Sequence, residues 1–354
     1  MKFSNTILTF FSAVILLAST GKAQNAPEWF KFYSEPDFRN APNASVVDKD
    51  GNVYMTGDMI DFSDEQETDI LTVKYDKDGN LEWISTINDD CDQDDAGNAI
   101  AVDDAGNVYV AGYIDNCFNL DDKYDPDGNL IWKTTYDSPH HGDLPFGDRA
   151  TNIFVDEEKN VYVTGTCGQF DDQTFYVHQD IGTLKLNANG TILWAHLFNA
   201  PENGDDIPMG ISVNRYGHVC VVGYRSSQND PDDGDIITLL YDKNGNLKWS
   251  DRYDGPLNGG DYGIVIANDD EGNVYIAGTQ DKLIDDSNAD IYIAKFDTNG
   301  TRIWSDVVDN NIPGTGARYD EPTDMLIDAN GDLIIAGDDS GFRACIMKYS
   351  PDGE

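Results

Sequence analysis

Basic residues are scarce in this sequence. The chain of 354 residues contains 23 Lys and Arg against 65 Asp and Glu, which gives a formal charge of −42. A surface of this sign repels nucleic acid and anionic lipid, so the composition excludes both as expected partners. It would attract cations, although an acidic surface that is simply solvated has the same composition.

Long apolar segments are also missing, except near the N-terminus. There ILTFFSAVILLA (residues 7–18) follows Lys2, and small residues end at Ala23, a pattern typical of a cleaved signal peptide over residues 1–23. The run is shorter than the roughly 20 apolar residues that a membrane-spanning helix needs, so we predict no membrane span in the mature chain. The prediction is an exported protein that is periplasmic, at the cell surface or secreted. An uncleaved membrane anchor is the alternative.

Cysteine is rare, and the count of five is odd. Cys220 and Cys345 fall in strand-like apolar segments, where they act as small apolar residues. The remaining three, Cys91, Cys117 and Cys167, lie in predicted loops, and export permits a disulfide among them. Because Cys91 precedes the first strand and Cys117 follows the second strand of one repeat, we predict a Cys91–Cys117 disulfide. Cys167 would then be free, or would compete for Cys117.

Helical periodicity is absent after Ala23. Apolar segments are short, β-branched or aromatic, and bounded by Gly, Asn or Asp, which predicts strands. Two phrases recur in order: VDKDGNVYMTG (residues 47–57) has five further copies, and KYDKDGNLEW (residues 74–83) has four further copies and a sixth that stops at KYSPDGE. Successive tryptophans from Trp83 are 49, 62, 55 and 55 residues apart, a period suited to four short strands with connections.

Each unit is therefore predicted as strand A, tight turn, strand B, long loop, strand C, tight turn, strand D and long loop. In the third unit Lys159 replaces the turn glycine, and we expect Asn160 to adopt the left-handed conformation there. Six such antiparallel sheets must cover their edges, and a ring of blades does so. We predict a single all-β domain over residues 24–354, a β-propeller of six four-stranded blades.

The N-terminal segment PEWFKFY contains a further tryptophan. Trp29 lies 54 residues before Trp83 and so keeps the period, as a strand D with no preceding strands of its own. We predict that it completes the C-terminal blade and closes the ring. The alternative is that the sequence is truncated and Trp29 pairs elsewhere.

The phrases DxxGNVYVxG and DIxxxKYDxxGNLxW resemble the SBBP-type β-propeller repeat of exported bacterial proteins, over nearly all of residues 24–354. The resemblance implies a propeller. The family's name suggests seven blades, which is the alternative to six. It implies no particular activity, and therefore no catalytic residues.

Binding is expected on one face of the ring. In a four-stranded blade both tight turns lie on one face and both long connections on the other, and irregular loops on a rigid scaffold usually carry binding. The non-repeating candidate surrounds blade three, where two loops carry the histidines, carboxylates and aromatics His140, His141, Asp143, Asp148, Asp171, Asp172, Phe175, Tyr176 and His178. They could form a transition-metal or acid–base site. Solvated histidines in acidic loops are the alternative.

Two further sets of carboxylates are candidate metal ligands. One recurs before strand A, at Asp95, Asp148, Asp206, Asp261 and Asp320. It could form a ring that holds a cation, or each carboxylate could accept backbone N–H groups where the chain enters the strand. The other set lies in the DPDDGD segment, at Asp230, Asp232, Asp233 and Asp235, which could bind Ca²⁺ although it lacks the ligand order of an EF-hand.

The predicted function is that of an exported, monomeric, non-enzymatic binding or scaffold protein. Its long-loop face would bind an extracellular or periplasmic protein or glycan, and Ca²⁺ could stabilise it. The alternative is a propeller enzyme. Paired carboxylates would suit a carbohydrate-active enzyme, and DKDGNLEW faintly resembles the tryptophan-docking repeat of quinone-dependent dehydrogenases.

Overall fold

The computed structural model describes Trp29, Lys31, Tyr33 and residues 38–61, 68–87, 94–114, 118–139, 147–171, 176–201, 203–227, 230–256, 259–281, 289–309, 320–339 and 343–354. These residues form 23 strands and no helix. None of the described segments is therefore a helix that could cross a membrane.

The strands form six antiparallel sheets in which neighbours in the chain are neighbours in the sheet. Sheet one contains β1 (Phe38–Val47), β2 (Val53–Asp61), β3 (Thr68–Tyr75) and β4 (Leu81–Ile87). Sheet two contains β5 (Asp95–Val102), β6 (Val108–Ile114), β7 (Phe118–Tyr124) and β8 (Leu130–Tyr136). Sheet three contains β9 (Arg149–Val155), β10 (Val161–Asp171), β11 (Tyr176–Leu186) and β12 (Ile192–Phe198).

The second half of the chain continues the same order. Sheet four contains β13 (Asn203–Val213), β14 (Val219–Ser227), β15 (Asp230–Tyr241) and β16 (Leu247–Tyr253). Sheet five contains β17 (Tyr262–Asn268), β18 (Val274–Asp281), β19 (Ala289–Phe296) and β20 (Arg302–Val308). Sheet six has three described strands, β21 (Asp320–Ile327), β22 (Leu333–Asp339) and β23 (Arg343–Tyr349). The predicted four-strand unit is thus confirmed in five sheets.

Tight turns of one design join the first strand to the second and the third to the fourth. In the first, Asp48 Oδ1 accepts the backbone N–H groups of Asp50 and Asn52, each at 2.9 Å, and Asp48 Oδ2 accepts the Asn52 side chain at 2.7 Å. Gly51 follows at a φ of +86°, which glycine adopts without strain. The expectation for sheet three is wrong, because Lys159 itself has a φ of +67°.

The last glycine of DxxGNVYVxG is required by a bulge in the preceding strand. β5 pairs with β6 with a register shift between Gly97 and Ala99, beside Gly112. This brings the Ala96 carbonyl so close that a Cβ on Gly112 would lie 2.0 Å from its oxygen. The sequence phrase therefore encodes a close backbone approach as well as a strand.

The tryptophan of each fourth strand packs on the next sheet. Trp83 Nε1 donates to the Pro126 carbonyl at 3.0 Å, and a Cβ on Gly128 would lie 2.7 Å from the Trp83 ring. The same ring packing joins Trp132, Trp194, Trp249 and Trp304 to Gly190, Gly245, Gly300 and Gly353. The indole thus fills the space beside the turn glycine, which has no side chain.

The core lies between consecutive sheets. A representative cluster joins Cys220, Val222 and Leu240 of sheet four to Ile276 and Phe296 of sheet five. Fourth strands show the alternating exposure of an outer edge, whereas β18 and β19 are buried along their whole length. This face-to-face stacking of twisted antiparallel sheets is that of a β-propeller.

First strands contact one another in succession, from β1 to β5 and onward to β21. No contact of similar extent joins β21 to β1 among the described strands. Val47 of β1 is 58 % exposed, and Leu326 and Ile346 of sheet six are 52 % and 74 % exposed. The number of blades and the closure of the ring therefore stay predictions.

Candidate functional site at the junction of sheets three and four

We call the side of the tight turns the turn face and the opposite side the loop face. Several predicted site residues lie outside the described residues, namely His140, His141, Asp143, Asp172 and Phe175, and so do both halves of the predicted disulfide, Cys91 and Cys117. Asp171, Tyr176, Asp230, Asp232 and Asp233 lie in strands, but only their backbone is described. The remaining candidates can be placed.

The carboxylates before the first strands are all buried. Asp148 accepts the Ser138 backbone N–H at 2.5 Å and the Ser138 hydroxyl at 2.8 Å. Asp206 accepts the backbone N–H of Ala200 at 2.6 Å. These contacts match the architectural alternative, in which each carboxylate fixes the loop that enters its strand.

Asp261, Asp95 and Asp320 occupy the same position in other sheets. Asp261 accepts the backbone N–H groups of Gly255 and Asp281, and burial nevertheless raises its pKa to about 7. The described residues contain no group of three or more His, Cys, Asp or Glu side chains placed to hold a metal ion. Cation binding by this set stays a prediction.

His178 lies on β11 and is only 5 % exposed. Its Nε2 is 3.4 Å from Asp180 Oδ1 and 3.3 Å from the amide nitrogen of Asn199. Burial raises the pKa of Asp180 to about 8, with a further contribution from the charges of Asp206 and Asp205. A carboxyl of this pKa holds its proton at neutral pH, and the imidazole of His178 lies beside it.

Sheet four supplies the other half of this cluster. Asp205 Oδ1 accepts the backbone N–H of Gln179 at 2.9 Å, and the Asp205 N–H donates to the Ser226 hydroxyl at 3.0 Å. With its neighbour Asp206, it brings two carboxylates to the pair His178–Asp180. We call His178, Asp180, Asp205 and Asp206 the junction cluster.

Asp235 has the position in sheet four that Asp180 has in sheet three, but its partners are different. Asp235 pairs in register with Arg225, and its Oδ2 lies 2.6 Å from Arg252 Nε and 3.8 Å from Arg225 Nε. In sheet three the residue in register with Asp180 is Cys167, a free buried thiol whose pKa is raised far above its usual value by burial and by Asp148. The prediction that Cys167 lies in a loop is wrong, since it is part of β10.

Two buried carboxylates were missed by the repeat analysis. Asp121 and Asp122 lie on β7, 4 % and 1 % exposed, in register with Ala111 and Val110. Burial raises their pKa values to about 8 and about 7. Sheet one has Thr72 and Val73 at these positions, so a departure from the apolar pattern of the third strand was the available signal.

Comparison with known proteins supports the class of fold. A family model described as a beta-propeller repeat of the SBBP type matches residues 92–119, which confirms the resemblance over that stretch. No curated protein matches the chain.

Solved structures match the chain at low identity and with TM-scores below 0.5. A protein of unknown function from Dyadobacter fermentans is 10 % identical, with a TM-score of 0.47 over 89 % of this chain and 95 % of that one. A protein from Lactobacillus plantarum is 12 % identical, with a TM-score of 0.47 over 80 % and 75 %. Drosophila Plexin A, in complex with Semaphorin 1b, is 8 % identical, with a TM-score of 0.45 over 90 % and 78 %.

Proposed function

We propose that this protein is exported and binds a protein or glycan through the loop face, around the junction of sheets three and four. The observation that supports this is the junction cluster, where His178 and Asp180 of β11 meet Asp205 and Asp206 of β13. Carboxylates such as Asp148 are used to fix the loops. The loop ends are therefore anchored, and loops on an anchored frame are where binding usually resides.

The ring that carries this face is proposed to have six blades and to be closed by the N-terminal strand. Trp29 Nε1 donates to the Lys77 carbonyl at 3.1 Å, and a Cβ on Gly79 would lie 2.7 Å from the Trp29 ring. These are the contacts that Trp83 makes with sheet two. Trp29 therefore occupies the place of a fourth-strand tryptophan from the blade before sheet one, which in a closed ring is sheet six.

Binding is tested with the purified mature chain on an array of cell-envelope polysaccharides and extracellular polypeptides, followed by titration of any hit. His178→Gln and Asp180→Asn should weaken binding at least about tenfold, because they alter the cluster on which the loops rest. His196→Gln is the matched control, since His196 lies on β12 against Tyr241. Binding that survives both junction variants would contradict the proposal.

A carbohydrate-active enzyme is the second candidate, favoured by the raised pKa of Asp180 beside His178. A protonated carboxyl at neutral pH is suited to general acid catalysis. Incubation of a bound glycan with the protein, followed by mass spectrometry, separates the two. Cleavage that Asp180→Asn abolishes would favour the enzyme, and an unchanged glycan would favour the binding module.

Calcium stabilisation is proposed for the acidic segment at 230–235. A metal bound only by the folded chain raises its stability by mass action. Millimolar Ca²⁺ should therefore raise the melting temperature, and EDTA should lower it. Identical melting curves in Ca²⁺, Mg²⁺ and EDTA would refute calcium binding.

A further inference from the structure

The turn face contains a cleft that the sequence did not indicate. It has a volume of about 600 Å³ and lies between the first tight turn of sheet three and both tight turns of sheet four. Small-molecule sites typically measure roughly 300–1,000 Å³. Asp156, Glu157 and Glu158 form one wall, and Arg215 and Tyr216 belong to the other.

The first turn of sheet four departs from its five counterparts. Each of those begins with Asp, whereas this turn reads NRYGH, from Asn214 to His218. Where the facing turn of sheet three has Glu157 and Glu158, it has Arg215 and Tyr216, a ring that is 49 % exposed. The change is chemical and not architectural, because Gly217 keeps the positive φ of the repeat.

The substitution leaves a buried donor unused. Asn214 is 7 % exposed, and its Oδ1 accepts the backbone N–H groups of Tyr216 and His218 at 3.0 and 3.1 Å. Its Nδ2 is buried and has no hydrogen-bond partner within the described part of the chain. In the first turn of sheet one the atom at this place is Asp48 Oδ2, which accepts hydrogen bonds from Asn52 and Tyr54. A Cβ on Gly272 would lie 3.3 Å from this Nδ2, so the unused donor faces sheet five and the cleft itself is defined by its charged lining.

The cleft is also rich in cations for this chain. Lys185, Arg215 and Lys243 line it with three carboxylates, whereas the whole sequence has 23 basic and 65 acidic residues. Lys295, at the position of Lys185 in sheet five, donates to the Pro351 carbonyl at 3.0 Å. Lys185 lies 4.9 Å above the Tyr162 ring, as Lys295 does above the Tyr275 ring, but it forms no ion pair with any described residue. Its ammonium remains available to an anion.

We propose that this cleft binds an acidic saccharide, whose carboxylate is held by Lys185, Arg215 and Lys243. Charge-assisted hydrogen bonds from a guanidinium and two ammonium groups suit a carboxylate. The carboxylates of the opposite wall accept hydrogen bonds from sugar hydroxyls, and the exposed Tyr216 ring packs on the apolar side of a sugar ring. This site lies on the turn face and does not depend on the function proposed for the loop face.

The test is isothermal titration of the mature protein at low ionic strength with trigalacturonate and with neutral galactotriose. We expect trigalacturonate to bind and galactotriose to bind at least about tenfold more weakly. Lys185→Met and Arg215→Met should each lower the affinity for trigalacturonate at least about tenfold, since each removes a charge-assisted hydrogen bond. The matched control is Lys77→Met, which removes an exposed lysine from the second turn of sheet one.

Melting of each variant establishes that it is folded before its affinity is compared. Equal binding of the neutral and the acidic sugar would overturn the proposal, as would an equal loss in Lys77→Met. Inorganic phosphate that binds as tightly as trigalacturonate would show a general anion site and would also overturn it. So would the absence of measurable heat at millimolar trigalacturonate.

Discussion

The indole nitrogen of Trp29 donates to the carbonyl oxygen of Lys77 at 3.1 Å, and the Trp29 ring stacks on Tyr75 with centroids 6.3 Å apart. Trp83 has the same relationship to the next sheet, with 3.0 Å to the Pro126 carbonyl and 6.1 Å to the ring of Tyr124. A residue 54 positions before Trp83 thus makes the contacts that the repeat assigns to a fourth strand.

The first prediction concerns ring closure. Trp29→Ala should destabilise the protein by about 2 kcal/mol, since it removes a half-buried indole and its hydrogen bond. If the segment also pairs with β23, amide hydrogen exchange in residues 343–349 should accelerate in this variant. Trp83→Ala is the control, because it should accelerate exchange in sheets one and two and leave β23 protected. Unchanged exchange of β23 in Trp29→Ala would argue against closure by this strand.

The second prediction tests the bulge glycine. Gly112→Ala should destabilise the protein by about 3 kcal/mol or more, because the new Cβ would lie 2.0 Å from the Ala96 carbonyl oxygen. Gly147→Ala provides the comparison, since a Cβ there would meet nothing within 4 Å. Its effect should stay within about 0.5 kcal/mol. Chemical denaturation measures both, and equal losses would show that the close approach is not the cause.

The third prediction concerns the buried carboxyls of sheet two. Asp121 and Asp122 have pKa values of about 8 and about 7 in the folded chain, against about 4 in an unfolded one. The unfolded chain therefore loses these protons first as the pH rises. The stability that they contribute is fully present below about pH 4 and is lost progressively up to about pH 8.

Replacing Asp121 and Asp122 by the residues that sheet one has at these positions should remove the pH dependence of stability. Asp121→Thr and Asp122→Val should each stabilise the protein by about 2 kcal/mol at pH 8, and by less at pH 5. Thermal melts at the two pH values measure the difference. A gain that is equal at both values would mean that the carboxyls are not protonated in the folded state.

The fourth prediction separates strain from charge at Lys159. This residue has a φ of +67°, and its Nζ lies 3.1 Å from the buried Oδ2 of Asp103 in sheet two. Lys159→Met keeps the strain and loses the ion pair, so it should destabilise the protein by about 1 kcal/mol. Lys159→Gly loses the pair and also relieves about 1 kcal/mol of strain, so it should be nearly neutral. The free energy of unfolding should therefore be lower for Lys159→Met than for Lys159→Gly. A glycine variant less stable than the methionine variant would contradict the prediction.

The repeat was readable because its signals are local. Asp48, Gly51 and Asn52 form their turn within five residues. Side-chain exposure alternates along the fourth strands because successive side chains point to opposite sides of the sheet. Such patterns depend on neighbours in the chain. Strand order, turn positions and the place of the tryptophans were therefore predictable.

The sequence by itself determined an all-β chain of repeated four-stranded units with two kinds of turn. Only the tertiary structure decided that His178 and Asp180 meet Asp206, and that NRYGH and Lys185 line one cleft. It also decided that Asp121 is buried. These outcomes depend on contacts between adjacent blades, and local propensity carries no information about which residues of the next blade a side chain will face.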